Sequence, residues 1–172
     1  MVRYATAAFG LVALAACSPA ESTSALAQAP DASAPEKASA PERHPTSGLQ
    51  IIDVAIVSGD ERIVFRSEHA NTPEAQARGL MFRTEMADDE GMLFPSDEPA
   101  LRSFWMKNTP ISLDIIFIGV DGRINNIETA VPYSLESVPS EGLASAVFEI
   151  RGGLASELGI KPGDRVEYAL PE

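Results

Sequence analysis

The chain has 172 residues, a length that suits one domain with appended segments. Its formal net charge is −12 and it has no run of basic residues, so it lacks the electrostatic footprint of a nucleic-acid-binding protein and no nucleic-acid partner is expected. The single cysteine excludes an intramolecular disulfide bond.

Residues 1–16 are predicted to be a signal peptide. Arg3 places positive charge ahead of an apolar run over residues 5–16, which is too short to span a bilayer as a helix. The residues LAAC, which end at Cys17, resemble a bacterial lipobox, in which the cysteine becomes the first mature residue and carries lipid. We therefore expect a membrane anchor through lipid on Cys17. Ser18, and no Asp, follows the cysteine, and by analogy with Gram-negative sorting rules this favours an outer-membrane lipoprotein that faces the periplasm.

Two other interpretations of this terminus remain open. Cleavage after the ALA of residues 25–27 would leave no anchor, although Glu21 separates that site from the apolar run. An uncleaved segment would leave Cys17 as a free thiol. A lone unpaired cysteine in an exported protein needs an explanation, and lipidation supplies one.

Residues 17–48 are predicted to be a disordered tether between the membrane and the domain. They are rich in Ala, Pro, Ser and Glu and contain no Phe, Trp or Tyr. Such a segment buries too little apolar surface to offset the conformational entropy lost on ordering. Recurring prolines at positions 30, 35, 41 and 45 favour an extended chain.

Residues 49–172 are predicted to form a single globular domain that begins with a hairpin and a helix. Two β-branched runs, residues 51–57 and 62–68, flank the turn SGDE. After the hairpin the strand-like pattern of apolar residues ends. Thr72 is a suitable N-cap, Pro73 suits the first helical position and Gly79 can close the C-terminus, which predicts a short helix over residues 73–78.

The middle of the domain is predicted to consist of strands. GMLF at residues 91–94 is a short apolar run, and residues 101–108 have the composition of a strand. Residues 114–120 are continuously apolar after the first position, which is typical of a strand buried on both faces. The DG pair at residues 121–122 is a strong hairpin signal.

The C-terminal part adds a strand over residues 145–150, a short helix in GGLASELGI and a last strand over residues 165–170. The total of about seven short strands and two short helices predicts a mainly β (α+β) domain. We expect a compact antiparallel or mixed roll, or a partly open barrel.

Known catalytic and metal-binding patterns are poorly represented. No G-x-S-x-G, phosphate loop or dinucleotide fingerprint occurs, and His69 is predicted to be a surface or turn histidine. One metal hypothesis is a periplasmic Cu(I) site built from His69 and the methionines at 81, 86, 92 and 106, because thioether and imidazole groups suit Cu(I). The methionines lack clustered spacing and core packing explains them better, so neither a metal nor a cofactor is expected.

The stretch FWMKNTPISLD, residues 104–114, is dense in polar and aromatic side chains. On a strand, Phe104 and Met106 share one face while Trp105 and Lys107 share the other. If the first face lies in the core, Trp105 and Lys107 form an outward platform. If Trp105 is in the core, Lys107 must extend to solvent or pair with a carboxylate. A pair between Lys107 and Asp114 across the turn would explain the stretch without a ligand.

Five segments in this order, GLMFR, GMLF, FWMKNTPISLDIIFI, VFEIRGG and GIKPGDRV, resemble the family known as domain of unknown function 192. The resemblance covers nearly all of residues 50–170. One position departs from the family pattern, since Phe148 replaces the usual Leu before Glu149. The resemblance implies a small β-rich domain that is often exported, and it implies no established activity or cofactor. The shared polar positions that it implies are Arg78, Arg83, Trp105, Lys107, Asn108, Asp114, Glu149 and Asp164.

The leading functional hypothesis is a non-enzymatic domain that binds an unknown small ligand or a protein partner. The ligand-binding candidates are Arg83, Trp105, Lys107, Asn108 and Glu149, while Arg78, Asp114 and Asp164 are structural polar candidates. The alternatives are a hydrolase that uses Asp114 or Glu149 as a general base, and the Cu(I)-binding protein described above.

Overall fold

The computed structural model of the protein describes residues 40–171. The predicted signal peptide, Cys17 and the predicted tether up to residue 39 lie outside the described residues. Among residues 40–171 there is no helix with the length and apolarity needed to cross a membrane. The described elements are β1 (Ile51–Ser58), β2 (Glu61–His69), α1 (Pro73–Arg78), β3 (Glu90–Ala100), β4 (Ser103–Phe104), β5 (Leu113–Gly119), β6 (Ile124–Ala130), β7 (Val138–Pro139), β8 (Ala144–Arg151), α2 (Leu154–Glu157) and β9 (Arg165–Tyr168).

Seven strands form one mixed sheet in the order β6-β5-β8-β3-β2-β1-β9, in which only β2 and β3 are parallel neighbours. The two edge strands meet at one end through an isolated bridge between Arg123 and Arg165. Because no continuous ladder joins these edges in residues 40–171, the sheet is not a closed barrel. The predicted mainly β fold with two short helices is confirmed.

The remaining two strands, β4 and β7, form a small separate sheet. The prediction of a strand over residues 101–108 is therefore wrong in its length. The strand predicted over residues 101–108 is reduced to Ser103 and Phe104, which pair with Pro139 and Val138. The reason is that β7 offers only two residues as partners. Beyond them the chain turns, and Asn108 adopts a left-handed backbone with φ of 56°.

Side chains on the two faces of the large sheet enter two apolar clusters. All seven residues of β5 are buried, as predicted from their apolar run. Ile116 and Ile118 lie in a cluster that also contains Leu154 of α2, while the alternate residues Ile115 and Phe117 lie in the other cluster. Because successive side chains of a strand point to opposite faces of the sheet, β5 contributes to both clusters. The cluster that contains Ile115 and Phe117, called the second cluster below, forms the base of the candidate site.

The helix α1 forms as its capping residues predict. The Thr72 hydroxyl accepts a hydrogen bond from the Ala75 N–H at 3.1 Å, and Pro73 occupies the first turn. Gly79 ends the helix with φ of 48°, and its N–H donates to the Ala75 carbonyl at 2.8 Å. Leu80, the second residue after the helix, is buried in the second cluster, so the end of the helix lies beside that cluster.

Residues 42–50 make a turn that contacts the domain. Arg43 and Gln50 form an isolated bridge, and the Ile51 N–H donates to the Glu42 carbonyl at 2.8 Å. The Glu42 carboxylate pairs with the Arg66 guanidinium. The chain therefore contacts the domain a few residues before position 49.

Candidate functional site

A cavity of about 170 Å³ lies beside the second apolar cluster. Helix α1 and the loop after it form one wall, and the segment from Arg102 to Thr109 forms the other. Phe94 and Leu113 contribute apolar surface from the sheet. Titratable side chains that line the cavity come from three parts of the chain and are Arg78, Arg102, Lys107 and Glu149.

Glu149 is a buried acid on a central strand. Its neighbours in register are Met92 on β3 and Ile115 on β5, so both flanking side chains are apolar. The residue is 4% exposed, and its carboxyl has no hydrogen-bond partner among residues 40–171. Burial raises the pKa of Glu149 to about 8, because the ionised form loses its hydration without gaining a compensating contact.

A glycine on β3, Gly91, allows that strand to pack closely against β8, which carries Glu149. A Cβ atom placed on Gly91 of β3 would lie 2.4 Å from the Phe148 ring and 3.1 Å from the Glu149 carbonyl oxygen. Only glycine permits this approach of β3 to β8. The position of Glu149 is thus set by tight backbone packing.

Three cations line the cavity without carboxylate partners. Arg78, Arg102 and Lys107 form no ion pair with the described carboxylates, whereas Arg83 and Arg151 each form one or more. Arg102 is nevertheless held in place. Its guanidinium donates to the Ser96 hydroxyl at 3.0 Å and, less closely, to the Gln76 side-chain oxygen at 3.4 Å.

Gln76 links this arginine to the backbone on the opposite side. Its amide nitrogen donates to the Pro95 carbonyl at 2.8 Å and to the Ala70 carbonyl at 3.2 Å. The amide orientation is therefore determined, and its oxygen faces Arg102. Neither Gln76 nor Arg102 was predicted as a site residue, although Arg102 stands two residues before the aromatic pair in the same sequence segment.

Trp105 lies at the rim of the cavity and is half exposed. The Lys107 Nζ atom lies 5.1 Å from the centre of the Trp105 ring, a cation–π distance. Met106, between them, is buried in the second cluster. Of the two arrangements considered for this stretch, the outward platform of Trp105 and Lys107 is confirmed.

The predicted pair between Lys107 and Asp114 is wrong. Asp114 is 1% exposed and its carboxylate accepts three hydrogen bonds, from the Thr129 hydroxyl at 2.6 Å, the Gly153 N–H at 2.9 Å and the Ala155 N–H at 2.8 Å. It ties β6 and the start of α2 to β5. Both carboxylate oxygens of Asp114 are therefore engaged in contacts that join elements of the fold.

The five predicted ligand-binding residues do not all meet. Trp105, Lys107 and Glu149 line the cavity. Arg83 does not, because its guanidinium donates to the buried carboxylate of Glu68 at 2.6 Å. The sequence pattern does not encode this distant partner. Arg78, predicted as a structural residue, lines the cavity instead.

Asn108 faces a separate groove on the other side of the same segment. Phe82 and Tyr133 also line this groove, and both are more than 60% exposed. Phe82, Asn108 and Tyr133 are the three non-glycine residues with positive φ among residues 40–171, and their φ angles are 66°, 56° and 61°. The Phe82 N–H donates to the Asn108 carbonyl at 2.8 Å, which connects two of the strained loops.

The other predicted polar and metal-binding residues lie in a turn or in the buried interior of the domain. The Asp164 carboxylate accepts from the Lys161 N–H at 2.9 Å and closes the turn before β9. His69 is buried, contrary to prediction, and burial lowers the pKa of its imidazole. Met92 and Met106 lie in the second cluster, as core packing requires. Residues 40–171 contain no group of three or more His, Cys, Asp or Glu side chains that is arranged for a metal ion.

Comparison with solved structures finds four matching chains, of which two are described. One is a protein of unknown function from Novosphingobium aromaticivorans DSM 12444, with 56% identity and a TM-score of 0.72 over 76% of this chain and 94% of that chain. Another is a protein from Sinorhizobium meliloti 1021 described as a "putative transcription regulator", with 37% identity and a TM-score of 0.67 over 70% of this chain and 95% of that chain.

A search of curated proteins finds no significant match. The model of the family called DUF192, described as an uncharacterized ACR, matches residues 54–168. This range includes every side chain that lines the cavity, and it agrees with the family resemblance of the five sequence segments. The chain belongs to the DUF192 family.

Proposed function

We propose that the domain binds a small organic anion in the cavity beside Glu149, as a non-enzymatic module of an exported lipoprotein. The observation that carries the proposal is the set of three cations, Arg78, Arg102 and Lys107, which line one concave site without carboxylate partners among the described residues. The chain that carries them has a net charge of −12. Cations that converge on a cavity provide charge-assisted hydrogen bonds for an oxyanion.

The shape of the site favours a small ligand over a protein partner. A cavity of about 170 Å³ is enclosed on two sides by α1 and by the segment from Arg102 to Thr109. The exposed Trp105 ring at its rim offers a flat apolar surface beside the Lys107 charge. A ligand with a flat apolar part and one anionic group would satisfy both features.

The raised pKa of Glu149 favours a second candidate, a hydrolase in which this residue transfers protons. A carboxyl group with a pKa of about 8 in a concave site suits general acid–base catalysis near neutral pH. The candidate is tested with phenyl acetate and phenyl phosphate as substrates. Turnover that disappears in Glu149→Gln would support the enzyme, and absence of turnover in the native protein would exclude it for these ester classes.

The lone Trp105 is a direct reporter for the binding proposal, because it is the only tryptophan in the chain. Small carboxylates, phosphate esters and cell-wall fragments are titrated while its fluorescence is recorded. The Lys107→Gln variant is expected to weaken the binding of an anionic hit about tenfold, since a charge-assisted hydrogen bond contributes roughly 1.5 kcal/mol. The matched control, Lys161→Gln, removes an exposed lysine that does not line the cavity and is expected to bind normally.

The lipoprotein part of the proposal rests on Cys17 and the residues before it. Cys17→Ala is expected to release the protein from the membrane fraction into the periplasmic extract, because acyl chains contribute about 0.8 kcal/mol for each buried CH₂ group. Ser24→Ala, a change in the same segment, is the control and is expected to leave the protein on the membrane. Retention of the Cys17→Ala protein on the membrane would contradict the proposal.

A further inference from the structure

Glu149 is the part of the cavity that an anion-binding function leaves unexplained. An ionised carboxylate beside a bound anion would repel it, and nothing else in residues 40–171 neutralises this side chain by an ion pair. We infer that Glu149 enters the complex as a neutral carboxylic acid and donates its O–H to an oxygen of the ligand's anionic group. The inference rests on the proposed function and adds the ligand class and its pH dependence.

The surroundings of Glu149 support a neutral acid. The side chain lies between Met92 and Ile115 on the neighbouring strands, and Phe94 and Leu113 line the cavity beside it. The charged groups that face the cavity are Arg78 from α1 together with Arg102 and Lys107 from the opposite wall.

None of these three cations forms a hydrogen bond or an ion pair with the Glu149 carboxyl. The pKa of about 8 has burial as its cause, and at pH 7 it leaves about nine in ten molecules protonated. A protonated carboxyl supplies one donor at the base of the site.

The donor and the cations together specify a class of ligand. One oxygen of an oxyanion accepts from Glu149, and the others accept from the cationic side chains at the walls. The volume of about 170 Å³ is close to that of cavities of about 150 Å³ that admit benzene. The ligands are therefore organic oxyanions of about one ring, and an amine of the same size is excluded because it brings a donor and a positive charge.

The arrangement makes binding depend on protonation. Below pH 8 Glu149 is already neutral, so the affinity for a permanent monoanion changes little with pH. Above pH 8 the free protein loses the proton that the complex retains, and binding takes up a proton. The affinity is then expected to fall by up to tenfold for each further pH unit.

Calorimetric titration tests this inference with three probes of matched size, benzoate, benzamide and benzylamine, on the Cys17→Ala chain, which carries no lipid. Titrations at pH 6, 8 and 9 in buffers of different ionisation enthalpy report the number of protons taken up. We expect benzoate to bind best, with uptake near zero at pH 6 and near one proton per ligand at pH 9. Glu149→Gln, whose amide still donates, is expected to bind benzoate without proton uptake.

Two contrary results have different meanings. Benzoate binding that depends on Lys107 but involves no Glu149-dependent proton uptake at pH 9 would overturn the inference and leave the proposed function intact. Benzylamine binding that strengthens as pH rises and disappears in Glu149→Gln would show an ionised carboxylate as the partner and would also overturn it. If neither benzoate nor phenyl phosphate binds at pH 6, the proposed function itself is wrong.

Discussion

Replacing Glu149 by Gln is expected to stabilise the domain at neutral pH, although it removes a side chain of the candidate site. The pKa of Glu149 is about 8 in the folded protein against an ordinary value of 4.5, a difference of 8 − 4.5 = 3.5 units. Between these values the folded state holds a proton that the unfolded state has released. Stability due to this group is therefore complete below pH 4.5 and is lost as the pH rises to 8.

The size of the effect follows from the same two values. Each pKa unit corresponds to about 1.4 kcal/mol, so ionisation of the unfolded chain costs the folded state about 3 kcal/mol at pH 7 and about 5 kcal/mol at pH 9. Gln resembles the neutral acid in shape and does not titrate. The variant should accordingly match the native protein near pH 4 and exceed its free energy of unfolding by these amounts at pH 7 and pH 9.

Urea denaturation at pH 4, 7 and 9 measures the difference in free energy of unfolding between Glu149→Gln and the native protein. Taking this difference cancels the contributions of the other titrating groups, which the two proteins share. Glu128→Gln, a change at an exposed position of β6, is the control and should show no pH-dependent difference. A Glu149→Gln difference that stays constant from pH 4 to pH 9, or that has the opposite sign, would refute the view that Glu149 is a neutral acid in the folded state.

Three further substitutions test the structural roles assigned above. Asp114→Asn should lower the free energy of unfolding by about 2–4 kcal/mol in urea denaturation, because it weakens one buried and two part-buried hydrogen bonds to the carboxylate, and native-like stability would contradict the assigned role. Asn108→Ala should destabilise by about 1 kcal/mol while Asn108→Gly stays near the native value, because Asn and Gly tolerate a left-handed backbone better than Ala does; equal melting temperatures would refute this. Gly91→Ala should cost about 1–3 kcal/mol through contact with the buried Phe148 ring, and an unchanged melting temperature would show that β3 and β8 can separate.

Features of the fold that depend on a few neighbouring residues were predictable from the sequence. Thr72, Pro73 and Gly79 delimit a helix by local capping chemistry, and the structure confirms each role. The apolar run of β5 indicates burial on both faces, which the structure also confirms. In these cases the physical cause lies within a few residues of the effect.

Features that depend on distant partners were not predictable in this way. Proximity in sequence predicts a pair between Asp114 and Lys107, yet the partners of Asp114 are Thr129, Gly153 and Ala155, which lie 15 to 41 residues away. The predicted strand at 101–108 fails for a similar reason, since its length is limited by the two-residue β7.

The candidate site shows the same division between local and distant causes. Trp105 and Lys107 lie together on the outer surface, as one of the two predicted arrangements has it, but they lie beyond the two-residue strand β4, so strand alternation is not the cause of their placement. Glu149 joins them only because β8 lies between β3 and β5 in the sheet. Arg83, in the loop after α1, does not line the cavity because its guanidinium binds the Glu68 carboxylate of β2.

A crystal structure of the protein with 4-bromobenzoate, measured at the bromine absorption edge, tests most directly whether the cavity beside Glu149 binds an organic anion. We predict an anomalous peak for bromine near the Trp105 ring, with the carboxylate inside the cavity within hydrogen-bonding distance of Glu149 and at least one of Arg78, Arg102 and Lys107. An empty cavity at saturating ligand, or a carboxylate that points to solvent away from Glu149, would contradict it.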